Sequence, residues 1–205
     1  GVGTAEEILY LLGVLLHPEN KDIPFPLVFT GPKESADYFR RIDEFIRLAI
    51  GDEAAARYEI IIDDPAAVAR YMRQGVDHVR EYRVSSNDAF YFNWQLIIEE
   101  RFQFPFRPTH ENMASLELNR SLPKHELAAN LRRAFSGIVA GNVKAEGLAA
   151  IRAHGPFEIN GDLALMQALD ALLEQFVEQG RMKLPGSKYE PCLLYTSPSP
   201  RDPSI

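Results

Sequence analysis

A short glycine-containing loop leads directly into an apolar helix pattern at residues 1–7, which read GVGTAEE. Gly1 and Gly3 tolerate positive φ and let backbone amides approach a ligand closely. A hydroxyl at Thr4 suits a helix cap, and the first-turn N–H groups of a helix favour an anion. A loop of this kind needs a preceding strand to deliver it. We therefore interpret the chain as a piece that begins inside a nucleotide-binding domain.

The same residues also have a purely structural interpretation. Thr4 and Glu7 match a capping box, in which the hydroxyl caps the helix and the carboxylate three residues later reaches back to the cap N–H. Short glycine loops and capping boxes are both weak signals. Spacing alone therefore leaves both interpretations open.

Helices and strands alternate through residues 1–80. Apolar residues recur at i, i+3, i+4 and i+7 from Ile8, and two short apolar runs are typical of buried parallel strands. Asp64 and Pro65 supply a cap and a first-turn proline. The predicted elements are a helix at 4–16, a strand at 25–30, a helix at 33–50, a strand at 58–62 and a helix at 64–75. This order predicts an α/β fold class, with the C-terminal half of a Rossmann-like parallel sheet domain.

Residues 81–192 are predicted to form a second, mostly helical C-terminal region. Residues 89–98 are rich in aromatic and β-branched side chains, which favours an extended segment. The clearest helix carries Met166, Leu169, Leu173 and Phe176 on one face. The predicted helices span 110–117, 124–140, 143–154 and 161–180.

The charge balance argues against several kinds of partner. A net charge of −7 and a pI near 5.3 disfavour a nucleic-acid polymer and an anionic membrane, while leaving room for a local positive pocket. No apolar run approaches the roughly 20 residues that a membrane span needs. The single cysteine, Cys192, excludes an intrachain disulfide framework and is typical of the reducing cytoplasm, where we expect this protein.

Several motifs resemble one enzyme family. The sequence GVGTAEE is similar to the end of PGGxGTxxE, the motif of the LOG or lysine decarboxylase-like phosphoribohydrolase superfamily. Longer segments resemble the bacterial pyrimidine/purine nucleotide 5′-monophosphate nucleosidases, and the resemblance covers about residues 1–192. These segments are LVFTGPKESADYF (27–39), FNW (92–94), HENM (110–113), RRAFSGIVAGNVK (132–144) and RMKLPG (181–186).

This resemblance implies hydrolysis of the N-glycosidic bond of purine and pyrimidine nucleoside 5′-monophosphates, giving ribose 5-phosphate and free base. It implies that Gly1, Val2, Gly3 and Thr4 hold the substrate phosphate and that Glu7 is the catalytic carboxylate. It implies no cofactor and no metal, and a homo-oligomer for the full-length protein. Two other functions stay open. One is a nucleotide-binding regulatory module without hydrolysis, and the other is a cytokinin-type riboside monophosphate phosphoribohydrolase.

Further candidates rest on position and charge. Thr30 and Lys33 bracket Gly31-Pro32 at the C-terminal end of a predicted strand, at the sheet edge where ligands collect in open α/β folds. Four polar residues flank a glycine-containing helix and are candidates for a substrate or effector phosphate, with a solvated basic face as the other interpretation. They are Arg132, Arg133, Asn142 and Lys144. His110 and Glu111 lack the second histidine of a helical metal pair, so a capped helix start is the simpler interpretation.

The last residues differ in style from the rest. Residues 193–205 read LLYTSPSPRDPSI, which has no helix or strand period and is rich in Ser and Pro. They resemble translated adapter sequence at the end of an assembled contig. We therefore interpret residues 193–205 as a non-native tail and leave them out of the functional prediction.

Overall fold

The computed structural model describes residues 1–87, 95–182 and 192–196. Its first region contains a two-stranded parallel sheet, in which Val28 pairs with Glu59 and Gly31 with Ile62. The elements are α1 (Val2–Leu15), β1 (Val28–Gly31), a 3₁₀ turn (Lys33–Ser35), α2 (Ala36–Ala49), α3 (Asp52–Ala55), β2 (Glu59–Ile62) and α4 (Pro65–Ser85). This alternation of helices and parallel strands confirms the predicted α/β class with part of a Rossmann-like sheet.

The second region is mainly helical but contains a small sheet of its own. Its elements are α5 (Glu100–Gln103), α6 (His110–Ala114), β3 (Glu117–Leu118), α7 (Lys124–Val143), α8 (Ala145–His154), β4 (Phe157–Gly161), α9 (Leu163–Glu178) and β5 (Leu193–Thr196). The four predicted helices are therefore confirmed, although the first ends at Ala114 and the strand β3 begins at Glu117, within the predicted range 110–117. The strands form a three-stranded parallel sheet in the order β3-β4-β5, which the sequence did not predict.

Strand β5 lies within residues 193–205, the segment interpreted from the sequence as a non-native tail. Leu193 pairs with Phe157, and Tyr195 pairs with Ile159, in parallel register. Leu193 is buried, although Leu194 is exposed. The first residues after Cys192 therefore complete a sheet, whereas residues 197–205 of the same segment lie outside the described residues.

Two other features differ from the prediction. Asp64 caps α4 by accepting from the Ala67 N–H at 2.8 Å, as predicted, but the helix continues to Ser85 instead of ending near residue 75. No residue of α4 is buried, so an apolar pattern could not mark its length. The predicted extended segment 89–98 falls largely outside the described residues, and residues 95–98 form no regular element.

One buried core joins the two regions. Helix α1 packs along α7 in antiparallel fashion, with Tyr10 near Arg132 and His17 near His125. Leu12 and Phe135 are completely buried in the shared core. Helix α2 packs on α9, where the Tyr38 and Phe176 rings lie 5.3 Å apart. These contacts bring the end of α9 close to the start of α1.

No described helix combines the length and the apolar character that crossing a membrane requires.

Candidate active site

The amino end of α1 carries free backbone donors. The helix begins at Val2, and its first hydrogen bond runs from the Ala5 N–H to the Gly1 carbonyl at 3.1 Å. Helical geometry therefore gives the amides of Val2, Gly3 and Thr4 no intrahelical acceptor. Gly3 and Thr4 are exposed, whereas the Val2 side chain is buried, so Val2 offers only its backbone to a ligand.

The predicted cap at Thr4 is wrong. Gly1 is the N-cap, no side chain caps this helix, and Thr4 already lies inside its first turn. The capping-box interpretation of Thr4 and Glu7 fails with it, because a capping box needs the hydroxyl at the cap position. The Thr4 hydroxyl instead faces Tyr38 on α2.

Gly1 lies where a side chain has no room. A Cβ added at Gly1 would stand 1.8 Å from the carbonyl oxygen of Arg181. On its other side, the Gly1 nitrogen donates to the Tyr38 hydroxyl oxygen at 2.7 Å, and that hydroxyl donates to the Gly1 carbonyl at 3.1 Å. The loop is thus held between α2 and the segment after α9.

Tyr38 is the buried centre of this cluster. Burial raises the pKa of its hydroxyl, the Thr4 hydrogen bond and the Arg181 charge lower that pKa, and the Glu7 charge raises it. The net direction is upward, so Tyr38 remains a neutral hydroxyl at physiological pH. Thr4 therefore contacts this hydroxyl, and the charges of Glu7 and Arg181 lie within electrostatic reach of it.

Glu7 is exposed on α1, and Glu6 is half-buried beside it. Glu7 lies four residues after Gly3, which places it on the same helix face and about 6 Å further along the axis. The free amides point along the helix axis beyond its amino end, and the Glu7 side chain lies one turn behind them, tilted towards that same end. Adjacent helical positions differ by about 100°, so Glu6 faces a different direction.

The carboxyl end of β1 adjoins this cluster through Ser35. Thr30 and Lys33 are exposed at this end, as the sequence predicted for ligand contacts. A Cβ at Gly31 would lie 2.8 Å from the Ser35 hydroxyl, and Arg181 Nη2 lies 3.4 Å from that same oxygen. Thr30 and Lys33 therefore belong to the turn that carries Ser35 towards Arg181.

Asp63 at the end of β2 has an unusual backbone. Its φ is 58°, a left-handed value, and its N–H donates to the Gly31 carbonyl at 3.0 Å. Residues other than glycine adopt this conformation only occasionally, although Asp is among the more tolerant. Asp63 was not predicted as a site residue, because only its position directly after a strand distinguishes it in the sequence.

Arg181 is the site residue that sequence reasoning missed. Helix α9 ends in a Schellman motif, in which the Gly180 N–H donates to Val177 at 3.0 Å and the Arg181 N–H donates to Phe176 at 2.8 Å. Gly180 has the required positive φ of 62°. This turn directs Arg181 back towards α1. The signal in the sequence was glycine at the end of the helical pattern.

The structure places Arg132 and Arg133 on α7, away from the β1 turn. The Arg132 guanidinium carbon lies 5.2 Å from the ring centre of Tyr10, one turn beyond Glu7 on α1. Arg133 lies over Phe106 and lines a cavity of about 560 Å³ with Arg101 and other residues. Burial, together with the charges of Arg101 and Arg132, lowers the pKa of Arg133.

Asn142 and Lys144 occupy two different surroundings. The Asn142 side chain is buried, and its amide donates to the Ile138 carbonyl at 3.0 Å and to Cys192 Sγ at 3.1 Å. Its polar group is thus engaged within the core rather than directed at a ligand. Lys144 is exposed between α7 and α8 and lines a cavity of about 900 Å³ with His110 and His154.

His17, Glu99 and His125 form a cluster of metal-ligand type. Each histidine Nε2 faces the same Glu99 oxygen, at 3.2 Å for His17 and 3.4 Å for His125. The other Glu99 oxygen pairs with Arg101, and the Glu19 N–H donates to His17 Nδ1 at 3.3 Å. That last bond keeps the proton of a neutral His17 on Nε2, facing Glu99. The contacts of both histidines with Glu99 and the ion pair of Glu99 with Arg101 therefore account for this cluster, and we assign no metal to it.

The fold and the site are those of a Rossmann-like α/β protein with a helix amino end, a carboxylate and an arginine at one sheet edge. The chain belongs to the pyrimidine/purine nucleotide monophosphate nucleosidase family, since the family model of the C-terminal part, "Pyrimidine/purine nucleotide monophosphate nucleosidase, C-terminal", matches residues 76–195. This match includes most of strand β5.

Curated relatives extend the similarity to the first region. Pyrimidine/purine nucleotide 5′-monophosphate nucleosidases of Escherichia coli strains K12 and O157:H7 are each 57% identical over 192 residues, which is 94% of this chain. The chain spans 42% of the length of each of these relatives.

Proposed function

We propose that this site takes part in hydrolysis of the N-glycosidic bond of purine and pyrimidine nucleoside 5′-monophosphates, releasing ribose 5-phosphate and free base. The observation that carries the proposal is the exposed Glu7 carboxylate one helical turn behind the free amides at the start of α1. The names of the E. coli relatives support the substrate class. The finer proposal also includes membership of the LOG superfamily and a homo-oligomeric full-length protein.

The chemistry needs a negative group near the sugar. Breaking the bond between ribose and base builds positive charge on the sugar in an oxocarbenium-like transition state, which a carboxylate can stabilise while it activates water. In the proposal Glu7 has this role. The leaving base departs with the bonding electrons and takes up a proton, and water supplies the hydroxyl group that remains on ribose 5-phosphate.

The phosphate supplies binding energy away from the reacting bond. The amides of Val2, Gly3 and Thr4 hold it in the proposal, because a helix amino end favours an anion. Binding of this remote group orients the ribose over Glu7 and contributes to lowering the barrier. Thr30 and Lys33 contact the substrate from the adjoining β1 turn. Arg132, Arg133 and Lys144 remain candidates for a substrate or effector phosphate, while the burial of Asn142 favours a structural role.

The test uses a chimera in which this chain replaces the matching segment of the E. coli K12 relative. AMP, GMP, CMP and UMP are supplied separately, and free base and ribose 5-phosphate are measured by chromatography. We expect equimolar base and ribose 5-phosphate from purine and pyrimidine substrates. Tight nucleotide binding without base release would contradict hydrolysis and favour a regulatory module. Release from modified adenosine monophosphates alone would favour the cytokinin-type activity.

A further inference from the structure

A cation from the second region reaches the proposed phosphate site. Arg181 follows α9, yet its carbonyl contacts Gly1 and its guanidinium carbon lies 4.4 Å from the centre of the Tyr38 ring. Tyr38 in turn is hydrogen-bonded to Gly1 at 3.1 Å. The side chain of Arg181 is half-buried, so its charge is partly shielded from bulk water.

We propose that Arg181 is a substrate-binding residue whose guanidinium holds the phosphate of the nucleoside monophosphate together with the amides at the start of α1. This inference rests on the function proposed above and adds a residue from outside the loop and the Rossmann-like region. Arginine suits the task because its planar group of five donors matches phosphate oxygens in a bidentate manner.

Among the described residues, the only hydrogen-bond acceptors of the Arg181 guanidinium are two that face its Nη2. Its Nη2 lies 3.4 Å from the Glu34 carbonyl oxygen and 3.4 Å from the Ser35 hydroxyl, distances at the long limit for hydrogen bonds. Within residues 1–87, 95–182 and 192–196, no carboxylate lies within ion-pair distance of Arg181. Nearby arginines differ, since Arg40 pairs with Asp37 and Arg47 pairs with Asp43. An anionic ligand would therefore satisfy a charge that the described protein groups leave unneutralised.

The position of the charge fits this role. The Arg181 charge lowers the pKa of Tyr38, whereas the Glu7 charge raises it, so both groups lie within electrostatic reach of one hydroxyl. A phosphate at the amino end of α1 would meet the helix amides from one side and Arg181 from another. The phosphate and the Glu7 carboxylate repel each other because both are negative. The positive charge of Arg181 would offset this repulsion.

A purely structural role predicts different behaviour. Arg181 could serve only to pack on Tyr38 and hold Gly1, through its stacked side chain and its backbone carbonyl. In that case a substitution would alter stability or kcat without a specific effect on phosphate affinity. The affinity for phosphate-containing ligands is therefore the readout that distinguishes binding from packing.

The first experiment measures KM and kcat for AMP, and the inhibition constant of inorganic phosphate, in the chimera. We expect Arg181→Gln to raise the AMP KM and the phosphate inhibition constant together by about 10- to 100-fold, the range of one charge-assisted hydrogen-bonding group. Arg181→Lys keeps the charge and should lose less. Arg152→Gln, at an exposed arginine of α8, is the matched control and should leave both constants unchanged.

A second experiment separates this inference from the proposed function. Ribose 5-phosphate is titrated into the 205-residue chain and its Arg181→Gln variant, with binding measured by calorimetry and folding by circular dichroism. Weaker binding by a folded Arg181→Gln chain supports the inference even if the chimera releases no base, an outcome that would defeat only hydrolysis. Unchanged affinity for ribose 5-phosphate and for phosphate in the variant overturns the inference, whatever the catalytic result.

Discussion

Gly1 and Arg181 lie so close that a Cβ on Gly1 would stand 1.8 Å from the Arg181 carbonyl oxygen. This contact joins the first turn of the chain to the end of α9 across 180 residues of sequence. The glycine is needed here because the two backbones approach each other closely. The geometry of the proposed phosphate site therefore depends on the second region as well as on the loop itself.

Gly1→Ala should displace either the loop or the segment after α9. A backbone oxygen cannot move aside as a flexible side chain can, so we expect the chimera to lose at least about 10-fold in kcat/KM for AMP, as small displacements at a site are costly. Gly3→Ala is the comparison within the same loop, because its Cβ would meet no heavy atom within 4 Å. An equal loss in the two variants would contradict the steric explanation.

Gly147→Ala should destabilise the protein despite its helical position. Replacing glycine by alanine inside a helix normally adds about 1 kcal/mol of stability. Here the new Cβ would lie 2.2 Å from the Ala140 carbonyl oxygen, where α7 packs on α8. We expect a net loss of about 1–3 kcal/mol, measured by urea unfolding. Ala149→Gly on the exposed face of α8 measures the difference in helix propensity between alanine and glycine alone. A rise in Tm for Gly147→Ala would contradict the predicted clash with Ala140.

Local sequence patterns predicted the helices and strands but not the tertiary contacts between them. The Asp64-Pro65 start of α4 and the apolar face of α9 follow from signals within one turn of the chain, and both are confirmed. The small sheet was missed because β3 has only two residues, and because β5 lies in a segment whose Ser and Pro content suggested a tail. Parallel pairing joins segments that are distant in sequence, so a local hydrophobic period cannot predict which strands pair.

In the candidate site, too, local motifs were predictable from the sequence and tertiary contacts were not. Glu7 and the glycine loop are predicted from a contiguous motif, whereas Tyr38 and Arg181 reach the loop only through tertiary packing. The cap at Thr4 was predicted wrongly because a hydroxyl inside the first turn and a hydroxyl at the cap have the same local sequence. The hydrogen bond from the Ala5 N–H to the Gly1 carbonyl, at 3.1 Å, decides between them, because it makes Gly1 the cap.

Asp162 should make stability depend on pH in the acidic range. It accepts from Arg120 Nε at 2.8 Å and from the Ala164 N–H at 3.0 Å, and the Arg120 bond holds the pKa of Asp162 below its ordinary value of 3.8. A depressed carboxyl pKa contributes stability above pH 3.8, and this contribution is lost as the pH falls through the lower folded value.

Asp162→Asn keeps a capping side chain but removes the charge. We expect a loss of about 0.5–1 kcal/mol in the free energy of unfolding at neutral pH, discounted because Arg120 is largely exposed. The loss should shrink at a pH below the folded pKa. Urea unfolding at both pH values, with the exposed Glu158→Gln as control, gives the comparison. A difference that is independent of pH would contradict the assignment.

Cys192 should react slowly in the folded protein. Burial raises the pKa of its thiol to about 11, with the Asn142 hydrogen bond opposing the shift. Since the thiolate is the nucleophile, we expect alkylation by iodoacetamide at pH 8 to be about 100-fold slower in the native chain than in guanidinium chloride. Intact-mass spectrometry measures the rate, and an exposed Ser121→Cys provides an internal reference. Equal native and unfolded rates would show that Cys192 is accessible.

The most direct test of the account compares two neighbouring carboxylates. Base release from AMP is measured in the chimera with Glu7→Gln and with Glu6→Gln, each at saturating substrate. We expect Glu7→Gln to lower kcat by roughly 10²–10⁴-fold, the usual contribution of a positioned acid or base, while Glu6→Gln stays within a few-fold of the parent. Near-normal turnover by Glu7→Gln would contradict the proposal that Glu7 is the catalytic carboxylate, and Glu7 would then be only an exposed residue of α1.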